Sequence, residues 1–155
     1  MRELAKELLG LSGEFAVASE LCRRGMYAQL TLGTHKRTDI LVETDRKMLR
    51  IQVKAKQSNE WPAIKGIFEP NEFLVLVDFA GKAKSTRPDF YVLSLHDWKA
   101  LVRDEKRKWP KDVKVDKRYR LKYSDGYEGF NLKPGLVTKH RERWEKILSR
   151  VGPRF

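Results

Sequence analysis

Three side chains in two neighbouring short runs could together bind a cation and activate water. Asp39 lies in Thr-Asp-Ile-Leu-Val-Glu, while Gln52 and Lys54 lie in Leu-Arg-Ile-Gln-Val-Lys. Alternate residues of a β-strand share a face, so Gln52 and Lys54 are expected on one surface while Ile51 and Val53 point towards a core. The polar connection 44–47 has hairpin length, and antiparallel pairing would bring Asp39 within reach of the amide and the amine.

A helix upstream adds a second acid, Glu14. Residues 10–24 read as a helix that ends at Gly25. Arg23 and Arg24 lie in its last turn, where positive charges interact favourably with the helix dipole. Helical spacing predicts a buried stripe made of four residues: Leu11, Phe15, Ala18 and Cys22.

In this order, Glu14, Asp39 and Gln52-Val-Lys54 resemble the motifs of the PD-(D/E)xK nuclease superfamily, most closely the small archaeal-type Holliday junction resolvases and related restriction-like proteins. The resemblance covers roughly residues 10–95. It implies an α/β fold of the restriction-endonuclease type, with a mixed central sheet flanked by helices in an αβββαβ core. It also implies a homodimer.

The resemblance further implies a DNA endonuclease that hydrolyses phosphodiester bonds, on branched or otherwise structured DNA. Asp39 and Gln52 would hold Mg²⁺ or Mn²⁺, Glu14 would approach from the helix as a further ligand, and Lys54 would act on the attacking water. One residue departs from the pattern, because Gln52 replaces an acid and brings no negative charge to a hard cation. Glu43 is a candidate compensating acid.

Three other interpretations remain open. Solvent-facing Asp and Lys pairs are common on hairpins and contribute only about 0–1 kcal/mol, so the pattern also fits a surface without chemistry. The alternative function is a catalytically inactive nucleic-acid-binding module on the same fold, which has lost metal chemistry through Gln52. A basic RNA-associated protein is a third hypothesis.

The charge of the chain indicates an anionic partner. The net charge is +12 over 155 residues, which favours nucleic acid, DNA in the first place. Residues 1–102 contribute 16 Lys and Arg against 13 acids, whereas residues 103–155 contribute 17 against 8. We therefore expect a nuclease-like core over 1–105, followed by a basic C-terminal extension over 106–155 that packs on the same domain and contacts phosphates.

Six cations are the predicted nucleic-acid contacts. Three flank the proposed site and three alternate with tyrosine and leucine in the run 118–123, which reads as a strand. They are Lys36, Arg37, Lys56, Arg118, Arg120 and Lys122.

The remaining sequence supports one α/β domain. Residues 73–79 form a continuous apolar run typical of a strand covered on both faces, residues 89–95 read as its partner, and residues 96–103 read as a helix. A final helix is expected from about Lys139. No apolar run approaches the roughly 20 residues that span a bilayer, and the single cysteine excludes a disulfide framework, so a cytoplasmic protein is expected.

Overall fold

The computed structural model describes residues 3–31 and 38–152. Within these ranges the chain forms three α-helices and nine short or medium strands. The helices are α1 (Lys6–Arg23), α2 (Leu95–Lys106) and α3 (Glu145–Val151). The strands are β1 (Ala28–Leu30), β2 (Ile40–Val42), β3 (Leu49–Lys56), β4 (Trp61–Ile64), β5 (Glu72–Asp78), β6 (Asp89–Ser94), β7 (Lys114–Val115), β8 (Leu121–Lys122) and β9 (Phe130–Leu132).

A mixed five-stranded sheet forms the centre of the molecule. Its order is β1-β2-β3-β5-β6, and only the β3–β5 pair is parallel. The predicted hairpin is present, because β2 and β3 pair antiparallel with Ile40 opposite Ile51. Two small two-stranded sheets, β4–β9 and β7–β8, lie outside the central one.

Two hydrophobic cores cover the two faces of this sheet. One core joins α1 and α3 to the side of β3 that carries Ile51 and Val53, and the other packs α2, β4 and β9 against Leu74 and Leu76 of β5. Strand β5 is therefore buried on both faces, as its continuous apolar run predicts. The fold is a mixed α/β arrangement with helices on both sides of the sheet.

Helix α2 begins where the sequence predicts, and its start is fixed by a capping interaction between Ser94 and Asp97. The hydroxyl of Ser94 accepts from the backbone N–H of Asp97, while the Asp97 carboxylate accepts from the backbone N–H of Ser94. This reciprocal capping satisfies two backbone donors at the helix start. The final helix is shorter than expected, since α3 begins at Glu145 and Lys139 lies in a 3₁₀ turn.

The predicted buried stripe of α1 is wrong for three of its four residues. Ala18 is buried, but Leu11 is 42% exposed, Phe15 is 59% exposed, and Cys22 is exposed. The helix instead buries a face that includes Gly13, Glu14 and Val17. Small residues on this face allow α1 to lie close to the sheet, so apolar size is a poor guide to which side faces the core.

The predicted strand over 118–123 is also mostly wrong. Only Leu121 and Lys122 are in β8, because the chain turns at residues 117–118, where the backbone N–H of Tyr119 donates to Asp116 O. The Asp116 carboxylate accepts from the backbone N–H groups of Arg118 and Arg120, and Tyr119 between them has φ of +62°. A side chain that caps the turn in this way competes with strand pairing.

Residues after 106 contribute to both cores. Strand β9 pairs with β4, and Trp144, Ile147 and Val151 of the C-terminal segment lie in the core beneath α1. The division at residue 105 stays a prediction about how the chain is organised.

Candidate active site

The site is built around Asp39, which immediately precedes β2. Its backbone N–H donates to Ile51 O at 3.1 Å, and its Oδ2 accepts from the backbone N–H of Val53 at 2.8 Å. These two bonds attach the residue to β3 on either side of Gln52. The carboxylate is thus held by the backbone of β3.

Helix α1 brings Glu14 to the same place. A β-carbon added at Gly13 would lie 2.8 Å from Ala55 Cβ, closer than two such atoms normally approach. Glycine therefore allows the helix backbone to lie directly against β3, and the next residue, Glu14, is only 9% exposed and hydrogen-bonded to Asp39. Two acids from distant parts of the sequence meet at this point.

The electrostatics of Asp39 reflect this crowding. Burial raises the pKa of its carboxyl from 3.8 to about 6, against the opposing effect of the hydrogen bond from Val53. The hydrogen bond and negative charge of Glu14 raise this pKa further, while the positive charge of Lys54 lowers it. Paired carboxyl groups with a raised pKa are a common feature of cation and acid–base sites.

Lys54 and Lys56 lie two residues apart on β3 but have different surroundings. Lys56 is 3% exposed, and its Nζ donates to Asp78 at 2.7 Å and to Ser58 O at 2.8 Å. The side-chain amine of Lys54 makes no hydrogen bond or ion pair with any residue in the described part of the chain, although its positive charge acts on Asp39. The amine that the sequence places beside Asp39 is available for chemistry, whereas the other amine is committed to a buried pair.

The Gln52 amide has an unusual environment. Its Oε1 is buried and has no hydrogen-bond partner among the described residues. Such an atom normally finds a partner, because leaving a buried acceptor unsatisfied costs about 1–3 kcal/mol. Gln52 also lines a cavity of about 470 Å³.

These residues fit a hard divalent cation. Two carboxylates that share a hydrogen bond and an amide oxygen without a partner are the oxygen donors that Mg²⁺ and Mn²⁺ accept. Within residues 3–31 and 38–152, no three His, Cys, Asp or Glu side chains cluster as a metal site would. The register that pairs Ile40 with Ile51 sets Gln52 across from Asp39. Glu43 does not add a third acid there, since it is exposed and follows β2 at the end opposite to Asp39.

Two predicted nucleic-acid contacts, Arg118 and Arg120, line the same cavity as Gln52. Arg118 is paired with Glu69, and Arg120 Nε lies 2.8 Å from Asp116 Oδ2. Both arginines are about half exposed, so their ion pairs are weak and a phosphate can replace the carboxylate. Lys122 is exposed but does not line the cavity.

The other three predicted contacts have different outcomes. Lys56 is corrected, because a buried ammonium bonded to Asp78 cannot reach a phosphate backbone. Lys36 and Arg37 lie outside the described residues.

Sequence reasoning missed two cations of the cavity, Arg50 and Lys65. Arg50 lies on the same face of β3 as Gln52 and donates from Nε to Thr38 Oγ1 at 2.9 Å. The alternation of inward and outward side chains along β3 was enough to place Arg50 on the same face as Gln52. No local pattern points to Lys65, which reaches the cavity only through the folding of the segment after β4.

Neither a protein-family model nor a curated protein sequence matches this chain. Among solved structures, the fold is similar to that of I-Ssp6803I, a bacterial homing endonuclease. The TM-score is 0.56 at 15% sequence identity, covering 96% of this chain and 95% of that one. The two proteins share a fold over almost their whole length.

The described part of the chain has no helix with the length and apolar character needed to cross a membrane.

Proposed function

We propose that this protein is a metal-dependent DNA endonuclease that hydrolyses phosphodiester bonds. The observation that carries the proposal is the meeting of Glu14 and Asp39 beside Lys54, which makes no ion pair in the described chain. An acid pair next to an uncommitted amine is the minimum set for binding a divalent cation and activating water at a phosphate.

Each residue has a distinct proposed role. Asp39 and Gln52 would hold Mg²⁺ or Mn²⁺, with Glu14 as a further ligand from the helix. The cation supplies Lewis acidity towards the scissile phosphate when it is bound. Lys54 would orient or deprotonate the attacking water and offset negative charge that develops at the phosphorus.

The raised pKa of Asp39 supports a cation at this point. Above about pH 6, Asp39 ionises although the Glu14 carboxyl lies beside it. This arrangement is costly for a structural role, because like charges in a half-buried site repel. A bound divalent cation would offset the repulsion between the two carboxylates, since both would then face a positive charge.

The surrounding charge supports DNA as the partner. The chain carries a net +12, and the cavity next to Gln52 is lined by four cations against three acids: Arg50, Lys65, Arg118 and Arg120 against Glu69, Glu72 and Glu128. Guanidinium groups bind phosphate in a bidentate manner, so this cavity suits a stretch of backbone adjoining the scissile bond. The structural neighbour, itself a homing endonuclease, agrees with a DNA substrate.

A second candidate is an inactive nucleic-acid-binding module on the same fold. Gln52 favours it, because two carboxylates and an amide bring less charge to a cation than three acids, and the described residues contain no larger acidic set.

Incubation of labelled DNA with the purified protein distinguishes the two functions. Linear duplex, single-stranded and four-way-junction DNA are each tested with Mg²⁺, with Mn²⁺ and with a chelator. The nuclease cleaves at least one of them only when metal is present, and preference for the junction would identify branched DNA as its substrate. Tight, salt-sensitive binding without cleavage in either metal would leave the binding module.

A further inference from the structure

A row of large apolar side chains runs along the outer face of α1 and includes Leu4, which lies two residues before the helix begins. Leu4 is 39% exposed, Leu8 56%, Leu11 42% and Phe15 59%. At about 100° per residue, Leu8, Leu11 and Phe15 lie within a narrow arc, on the side of the helix opposite to Gly13 and Val17, which face the sheet. We call this row the α1 stripe.

The spacing within the α1 stripe is that of a helix seam. The steps between its members are four, three and four residues, which is the alternation that lets one helix pack its side chains into the gaps of another. In a chain with a well-packed interior, such a pattern on the solvent side is not explained by its own core. It is suited to a second helix with the same spacing.

The charges around the α1 stripe disfavour other occupants. Glu3 and Glu7 are exposed beside it, and Lys6 is the one cation among the exposed residues 3–8. A helix that binds an anionic membrane or nucleic acid has basic flanks. This part of a strongly basic chain is therefore unsuited to an anionic surface.

We propose that the α1 stripe joins two copies of this chain, with the two α1 helices antiparallel. Centred between Leu8 and Leu11, this arrangement places Leu8 opposite Leu11 of the second copy and Phe15 beside the segment that leads into its α1, which carries Leu4. All four apolar side chains are then covered. Antiparallel packing also keeps Glu3 and Glu7 away from their counterparts and opposes the helix dipoles, whereas parallel packing would set the acids side by side.

The area fits an interface of moderate affinity. Side chains of this size expose roughly 150–250 Å² when free, so the four would bury about 350 Å² of apolar surface per copy. A stable interface buries about 800 Å² per partner, of which somewhat more than half is apolar. The α1 stripe supplies most of that apolar part, and we expect a dimer that forms at micromolar concentrations.

Sedimentation analysis between about 1 and 100 μM tests the pairing. The wild type should shift from monomer to dimer, and Leu8→Glu and Phe15→Glu should each weaken association at least tenfold. Leu148→Glu is the matched control, because Leu148 is a 37% exposed leucine on a different helix, α3. A wild type that stays monomeric at 100 μM, or equal effects of Leu8→Glu and Leu148→Glu, would overturn the proposal.

Cross-linking tests the arrangement without a destabilising charge. Cys22 is the single cysteine, so it is replaced by serine, and Leu4→Cys and Phe15→Cys are made separately in that background. The mixed chains should form an oxidised heterodimer, while neither variant should link to itself, because two copies of residue 15 would lie about 16 Å apart and two copies of residue 4 would lie at opposite ends of the helix pair. Self-linking of each variant alone would show parallel helices, and no linking in any mixture would contradict the interface.

Discussion

Replacing Asp39 with asparagine should stabilise the protein at the expense of its proposed activity. The ionised Asp39 carboxylate is disfavoured in the folded state, since its pKa is raised from 3.8 to about 6 by burial and by Glu14. Asparagine removes the charge, keeps an oxygen that can accept from the Val53 N–H, and offers an amide donor to Glu14. The substitution therefore relieves repulsion while retaining the hydrogen bonds.

The size of the effect follows from the pKa shift. A rise of about two pKa units corresponds to about 3 kcal/mol between the folded and unfolded states above pH 6. Asp39 is only partly buried, so solvent screening reduces this, and we expect a gain of about 1–2 kcal/mol at pH 8. Because the pKa of Asp39 is raised in the folded state, its protonated carboxyl stabilises the fold fully below pH 3.8. This contribution is lost as the pH rises through 6.

Urea unfolding of wild type and Asp39→Asn in chelator, at pH 4, 6 and 8, measures this difference. The gain should be largest at pH 8, nearly as large at pH 6 and much smaller at pH 4. Asp45→Asn, in the exposed connection between β2 and β3, is the control and should show no such trend. A loss of stability at pH 8, or a difference that does not change with pH, would refute the electrostatic reasoning.

Three further substitutions test separate parts of the structure. Gln52→Glu should lower the Mg²⁺ concentration needed for half-maximal cleavage about tenfold, because it adds a carboxylate; metal titration of the rate measures this. Lys56→Ala should cost about 3–5 kcal/mol in urea unfolding, because it leaves Asp78 buried without its partner; a cost below 1 kcal/mol would contradict a buried pair. Burial, followed by the charge of Lys146, lowers the pKa of His140 to about 4. The neutral imidazole of His140 therefore stabilises the fold above about pH 6.5, and this contribution is lost as the pH falls through 4. His140→Gln should remove that part of the pH dependence of the free energy of unfolding.

The sequence predicted those parts of the site that depend on strand alternation. Asp39, Gln52 and Lys54 fall on a hairpin whose alternation of polar and apolar residues is evident in the sequence. The structure pairs the two strands antiparallel. The residues around Glu14 were enough to predict that it lies on a helix. That it meets Asp39 depends on Gly13 lying against Ala55, a tertiary contact that no local pattern encodes.

Burial was the main source of error. Hydrophobic size pointed to Leu11 and Phe15 as the inner face of α1, yet the helix packs through small residues and leaves the large ones outside. Lys56 read as an exposed cation because its partner, Asp78, comes 22 residues later and becomes adjacent only through the parallel register of β3 and β5. Both errors come from tertiary packing overriding a local pattern.

The most direct test of the central claim measures cleavage and DNA affinity together for wild type, Lys54→Ala and Lys47→Ala, with Mg²⁺ on the best-cleaved DNA. Lys47 is an exposed lysine before the other end of β3, so its loss is the matched change of charge. We predict that Lys54→Ala lowers the cleavage rate at least a hundredfold with little change in affinity, while Lys47→Ala cleaves like the wild type. Equal cleavage by all three proteins would contradict a catalytic role for the site around Asp39 and Lys54.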